Sequence, residues 1–395
     1  MPLSIRILII FACLVCLVPP DGAKAEGFNL VPNIAVRGEY NDNIFFSVQD
    51  QASDFITTVS PGLNILEQTE RLDLELTGRL DGIYYADLSG LDAVDQSYSG
   101  HLGYQITERV GLVSDVGYIK DSRPDRDVLE TGLVQSAQPR KRAFFTAGGD
   151  YRTGENTSNS LFYRYEKSEY SDEQLADSQI HSVGFQHTWD ARRIFKETVG
   201  HLDLGYANAD FKTSRVESVS ATMGAAWKTT ELWRLKVDLG ARYTVTDFFN
   251  FEVVPPETDS KRDLSGVGKA TVEYRGAYTY ANLVFLHDLR EARGRGGTAY
   301  RTELTGWAGY RLSERFRLTL SAGYFWNRSR PETVSIVEVD TQTLRVRPGL
   351  RYEFTDDLAA EAGYNYTRVK DDIQQSTAAQ NMVFAQIYWQ WPIFD

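Results

Sequence analysis

Leu72, Leu74, Leu76 and Leu80 alternate with Asp73, Glu75, Thr77 and Arg79. Trp233, Leu235, Val237 and Leu239 alternate in the same way with Arg234, Lys236 and Asp238, and Leu344, Val346 and Leu350 with Arg345, Arg347 and Gly349. A helix would scatter these apolar residues around its surface, whereas a strand places them all on one face. This period of two recurs along nearly the whole chain.

The segments between alternating runs differ in length by turns. Short ones fall at 107–109, 228–231, 312–315 and 354–357; long polar ones at 86–95, 119–139, 167–178, 244–262, 288–297, 327–340 and 367–379. Gly103-Tyr104, Gly309-Tyr310 and Arg351-Tyr352 each precede a tight turn and a strand ending in Gly-Tyr, at 117–118, 323–324 and 363–364. The repeat is therefore strand, aromatic, tight turn, strand, aromatic, long loop.

Eighteen strands are predicted, near 32–40, 54–66, 70–85, 96–107, 109–119, 141–152, 160–167, 178–190, 198–207, 217–228, 232–244, 263–275, 277–288, 298–311, 315–327, 341–353, 357–367 and 380–391. Most have the length a tilted membrane strand needs, about 9–11 residues or somewhat more. The apolar face repeatedly ends in an aromatic: Tyr84, Tyr104, Trp189, Trp227, Trp233, Tyr243, Tyr310, Tyr352 and Trp389. Such girdles mark the two lipid boundaries of a barrel. The reading is all-β: a transmembrane antiparallel up-and-down β-barrel of about 18 strands (16–18), with short turns toward the periplasm and long loops outside. Beyond the N-terminus no apolar run reaches the roughly 18 residues of a membrane helix. The last strand, with Val383, Ala385, Ile387, Trp389 and Trp391, resembles the C-terminal signal of membrane barrels, although the usual terminal Phe is displaced to Phe394, before Asp395.

Arg6, the apolar run 7–18 and the small-residue site Ala23-Lys24-Ala25 have the form of an export signal. Residues 1–25 are expected to be a signal peptide and 26–395 a single outer-membrane β-barrel domain. Cleavage would remove both cysteines, Cys13 and Cys16, and leave no disulfide or thiol chemistry. It would also take the net charge from −12 to −13, since Arg6, Lys24 and Asp21 depart together. That balance disfavours nucleic acid as a partner.

Tyr40-Asn41-Asp42-Asn43-Ile44-Phe45, followed by Ile56-Thr57-Thr58-Val59-Ser60-Pro61-Gly62-Leu63, resembles the putative β-barrel porin type 2 family, whose members are similar to outer-membrane barrels of bacterial exopolysaccharide operons. The resemblance implies a Gram-negative outer-membrane barrel linked to polysaccharide export. Its expected partners are outer-membrane lipid, a polysaccharide and periplasmic export proteins, and the barrel is expected to act as a monomer.

On the polar phase of the strands lie Arg301, Arg311, Arg317, Arg345, Arg347 and Arg351, with Arg234, Lys236 and Arg242 further back. Acids share that phase: Asp73, Glu75, Asp81, Glu303, Glu353 and Glu361. The nine cations are candidate lumen residues that would attract an anionic solute such as a uronate-rich glycan, guanidinium groups binding carboxylates two-pronged. The alternative is that Arg and Glu pair across the lumen and fill it. His101, His181, His187, His201 and His287 show no metal-ligand spacing such as H-E-x-x-H. Ser182 and His181 are adjacent and so point to opposite faces, which excludes a nucleophile–base pair between them. Neither an enzyme nor a metal or cofactor is expected. A plug domain before the first strand is not expected.

The expected function is an outer-membrane channel for polar solutes, passing or exporting anionic exopolysaccharide. The rival is a closed barrel whose long loops bind a partner or surface glycan. The loops 119–139 and 244–262 are long enough to fold inward and constrict a channel.

Overall fold

The computed structural model describes residues 27–126, 138–155, 157–172, 175–192, 197–212, 214–250, 257–291, 298–329 and 338–393. The expected signal segment 1–25 and the final Phe394 and Asp395 lie outside them. Eighteen strands run in chain order: β1 (Phe28–Asn41), β2 (Asp54–Gln68), β3 (Leu72–Tyr85), β4 (Ala93–Thr107), β5 (Val110–Asp121), β6 (Arg140–Gly154), β7 (Thr157–Tyr170), β8 (Ser178–Asp190), β9 (Thr198–Phe211), β10 (Ser214–Lys228), β11 (Trp233–Asn250), β12 (Glu257–Arg275), β13 (Thr279–Glu291), β14 (Thr298–Arg311), β15 (Phe316–Arg328), β16 (Asp340–Glu353), β17 (Leu358–Asp371) and β18 (Ser376–Gln390).

Each strand pairs antiparallel with its neighbours in sequence, and β1 closes on β18, from Asn33↔Gln390 to Asn41↔Met382. Closure leaves no unpaired sheet edge, which hydrocarbon would not tolerate. The expected strand number and barrel architecture are thus observed.

The wall is apolar outside. Leu264 is 71% exposed and Leu239 65%, as befits side chains whose solvent is lipid. On β11, Trp233 and Tyr243 bracket this band on the same face. Their ten-residue separation spans about 33 Å along the strand, or about 25 Å of barrel height at a tilt of ~40°. Tyr104, Tyr310 and Trp389 share the short-turn end with Trp233, while Tyr40, Phe55, Tyr84 and Trp326 stand exposed at the other.

Inside, the buried side chains are largely polar, among them Glu39, Thr343, Thr367 and Gln380. Among the described residues, apolar packing within the barrel forms small clusters, one of which joins Ile44, Ile56, Ile83 and Tyr85 near the long-loop mouth.

One expectation needs correction. Several segments read as long loops are strand: β11 runs to Asn250, β12 begins at Glu257, β17 reaches Asp371 and β18 begins at Ser376. Apolar alternation stops at the lipid boundary, but backbone pairing does not. The hairpin arms continue outward because their N–H and C=O groups satisfy one another. Polar side chains pair across them, as Ser260 Oγ donating to Asp247 Oδ1 at 2.6 Å and Arg215 Nε donating to Asp210 Oδ1 at 2.6 Å.

Candidate functional site: the charged lumen

Because side chains alternate, the residues between the exposed apolar series of each strand face the lumen. On β16, Arg345, Arg347 and Arg351 alternate with exposed Leu344 and its followers and therefore point inward. Arg351 lies in register with Arg317 on β15, and Arg317 with Arg311 on β14. Three arginines thus stand side by side at the short-turn mouth, an arrangement that costs repulsion across the strands. Glu353 partly offsets it, 3.2 Å from Arg351 and 3.8 Å from Arg317. Arg311 has no acidic partner among the described residues.

Further into the barrel, Arg347 meets Glu361 at 3.3 Å and stacks on Phe384, with its guanidinium carbon 4.6 Å from the ring centre. Arg37 of β1 stacks on the same ring at 4.1 Å. Arg345 donates to Asn365 Oδ1 at 2.7 Å. The other candidates are more nearly neutralised or lie elsewhere. Arg301 pairs with Glu303 at 2.6 Å, Arg242 with Asp288 at 3.1 Å and Lys236 with Asp238 at 3.7 Å. Arg234 is exposed near the start of β11. The structure therefore gathers Arg311, Arg317, Arg345, Arg347 and Arg351 on one wall, while Arg234, Lys236 and Arg242 stand on another.

The segment after β5 turns inward across the β1–β4 wall. Ser122 Oγ donates to Asp95 Oδ1 at 2.9 Å on β4. Arg123 then reaches β1, where its Nη2 lies 2.7 Å from Glu39 Oε1 and its Nε donates to Asp125 Oδ1 at 3.0 Å. The other Glu39 oxygen accepts from Arg37 Nε at 2.7 Å. Glu39 is buried, and two guanidinium groups compensate the loss of its water. Burial alone would raise the Asp125 carboxyl, but the charge and hydrogen bond of Arg123, aided by the charge of Arg345, hold it below its ordinary value. Residues 127–137 of this segment lie outside the described residues, as do 251–256 of the other segment expected to fold inward.

These groups enclose a cavity of about 270 Å³, lined by Arg37, Arg79, Arg123, Arg126, Arg345 and Arg347 and by Asp81, Asp95, Asp121 and Asp125. Six cations and four anions line it, and Glu39 and Glu361 neutralise Arg37, Arg123 and Arg347 from behind. Sequence reasoning found only Arg345, Arg347 and Asp81 of this set. Arg37 and Glu39 share a strand phase two residues apart and carried a usable signal. Arg123 carried none, because its role depends on where a loop lands.

The opposite wall is built differently. From β7 to β13 a cavity of about 450 Å³ is lined by small or hydroxylated side chains, including Ser182, Gly184, Gly205, Ser218, Ser220 and Thr222, with Arg164, Arg242 and Arg290 among them. Small side chains leave this side of the lumen the more open.

The resemblance motif now has a structural content. Asn43 is fully buried; its Nδ2 donates to Ser47 O at 2.8 Å and to Ala379 O at 2.9 Å, and its Oδ1 accepts from Ser47 N at 2.8 Å. Phe46, held at φ 54°, packs with Ala378 and Val369. Asp54 accepts from the backbone N–H groups of Phe55, Asp87 and Leu88 at 2.7–3.1 Å. The motif shapes the long-loop mouth at the seam between β1 and β18.

Comparison with known proteins gave three results. No curated protein matches the chain. Solved structures similar to it include OccK9 (OpdG) of Pseudomonas aeruginosa, 10% identical, with 94% of this chain and 100% of that one covered at a TM-score of 0.48. They also include OpdK of Pseudomonas aeruginosa (9% identity, 92% and 99% covered, TM-score 0.46) and the alcaligin receptor FauA of Bordetella pertussis (11%, 92% and 76%, 0.44). The model of the family described as Putative beta-barrel porin 2 matches residues 18–187, from before β1 into β8, and the closed barrel with its lipid-facing apolar belt is that of a protein of the Gram-negative outer membrane.

Proposed function

We propose that this barrel is a channel for polar solutes and that it passes an anionic polysaccharide outward. The observation that carries the reading is the run of like charges on β14–β16. Arg311, Arg317 and Arg351 lie in register, with Arg347 and Arg345 following inward. Cations placed directly opposite one another oppose folding, and a carboxylated chain threading past them relieves that repulsion. The wall of Ser and Thr hydroxyls on β8–β10 offers donors and acceptors suited to sugar hydroxyls.

The rival reading, a closed barrel, draws on the buried Arg123–Glu39 contact that ties the inward segment to β1. Single-channel conductance of the refolded protein separates the two. An open channel blocked by oligogalacturonate and far less by maltooligosaccharide is the expected result. A heat-modifiable, correctly folded barrel with no conductance would overturn simple passage and favour the closed form.

A further inference from the structure

His201 on β9, Gly224 on β10 and Asp238 on β11 lie in one cross-strand row. With β10 between them, the backbones of His201 and Asp238 are two strand spacings apart, roughly 10 Å, yet their side chains meet, His201 Nε2 against Asp238 Oδ1. They meet because position 224 is glycine. A Cβ there would collide with Asp238 Oδ1 and with the Val237 carbonyl oxygen, and would sit 2.6 Å from His201 Nε2. Asp203, two residues along β9 and on the same face, brings Oδ2 to 3.9 Å from the same imidazole nitrogen. Its Oδ1 is already held by Gln186 Nε2 of β8 at 2.6 Å, which leaves Oδ2 turned toward the histidine.

We infer that His201, Asp203 and Asp238 form a divalent-metal site in the lumen wall, taking a borderline transition ion, Zn²⁺ foremost. Imidazole nitrogen and carboxylate oxygen are both among its ordinary ligands. The three donor atoms all lie within 4.8 Å of one another. A tetrahedral zinc holds its donors about 3.4 Å apart, so small rotamer changes suffice. His201 and Asp238 are buried, whereas the Asp203 side chain is 35% exposed and also lines the larger cavity. The open coordination position therefore faces the channel. Gln186 supplies the outer hydrogen bond that orients a ligating carboxylate. Lys236, 3.7 Å from Asp238 Oδ2, is the competing cation. The bland alternative is a His–Asp ion pair spanning β10 and nothing more. The inference is independent of what the channel conducts.

The test is Zn²⁺ binding to the refolded barrel by calorimetry, with metal retained after gel filtration counted by elemental analysis. Folding is checked separately by heat-modifiable migration. The expected result is one Zn²⁺ per folded barrel, lost in His201→Gln and Asp238→Asn, weakened about 10–100-fold in Gln186→Ala and tightened in Lys236→Met. Gly224→Ala, which keeps every donor residue but fills the space where they meet, is expected to abolish binding in barrels that still fold. A folded wild type that retains no Zn²⁺, or undiminished binding in folded His201→Gln and Gly224→Ala, would overturn the site.

Discussion

Asp42, just past the end of β1, holds Asn381 of β18 at two points: the Asn381 backbone N–H donates to Oδ1 at 2.7 Å and its Nδ2 to Oδ2 at 2.6 Å. The first and last strands are thereby stapled where the barrel closes, on the side of the long loops. Hydrogen bonds to a charged group contribute about 1.5–3 kcal/mol each when well made. Asp42→Ala is therefore expected to destabilise the barrel by about 3–6 kcal/mol and to lower the temperature at which the folded band converts in gel electrophoresis. An unchanged conversion temperature would show that the seam holds without it.

Ile44 packs with Ile56, Ile83 and Tyr85 inside the same mouth. Ile44→Ala leaves a cavity among groups fixed by strand pairing. The expected cost is about 2–4 kcal/mol, read as faster proteolysis of the 42–53 loop in intact barrels.

The buried Glu39 balances Arg37 and Arg123. Glu39→Gln leaves Arg37 without its counter-charge and Arg123 with Asp125 alone, a change of about 3–5 kcal/mol for a buried pair. The inward segment should detach from β1, and single-channel conductance should rise. A double-mutant cycle with Arg123→Ala would show strong coupling; additive effects would place the latch elsewhere.

Asp125 gives this latch a pH dependence. Its carboxyl lies below the ordinary value of about 4, so its contribution is complete above that value and is lost as pH falls through the depressed folded one. Conductance should be level from neutral pH down to about 5 and rise only below about pH 4. The rise should be absent in Asp125→Asn. A transition near pH 6–7 would point to another group.

Leu239 lies mid-strand between the two aromatic belts and faces lipid. Leu239→Arg is expected to cost about 2–4 kcal/mol, as arginine does near the bilayer midplane. Ser220→Arg points into the open cavity and should fold, with reduced conductance. Equal effects in both would contradict the assignment of faces.

The strand number, the strand phase of the nine candidate cations and the aromatic belts were legible in the sequence alone, because a period of two fixes which way each side chain points and lipid demands an unbroken apolar band. The outer reach of the strands was not legible, since it follows backbone pairing after the apolar pattern has ended. Nor were the meetings between strands. Arg123 finds Glu39 only because a loop turns inward. His201 finds Asp238, 37 residues away, only because β10 presents a glycine between them. Alternation is a local property and survives in one dimension; which charges neutralise one another depends on cross-strand register and barrel closure, which exist only in the folded chain.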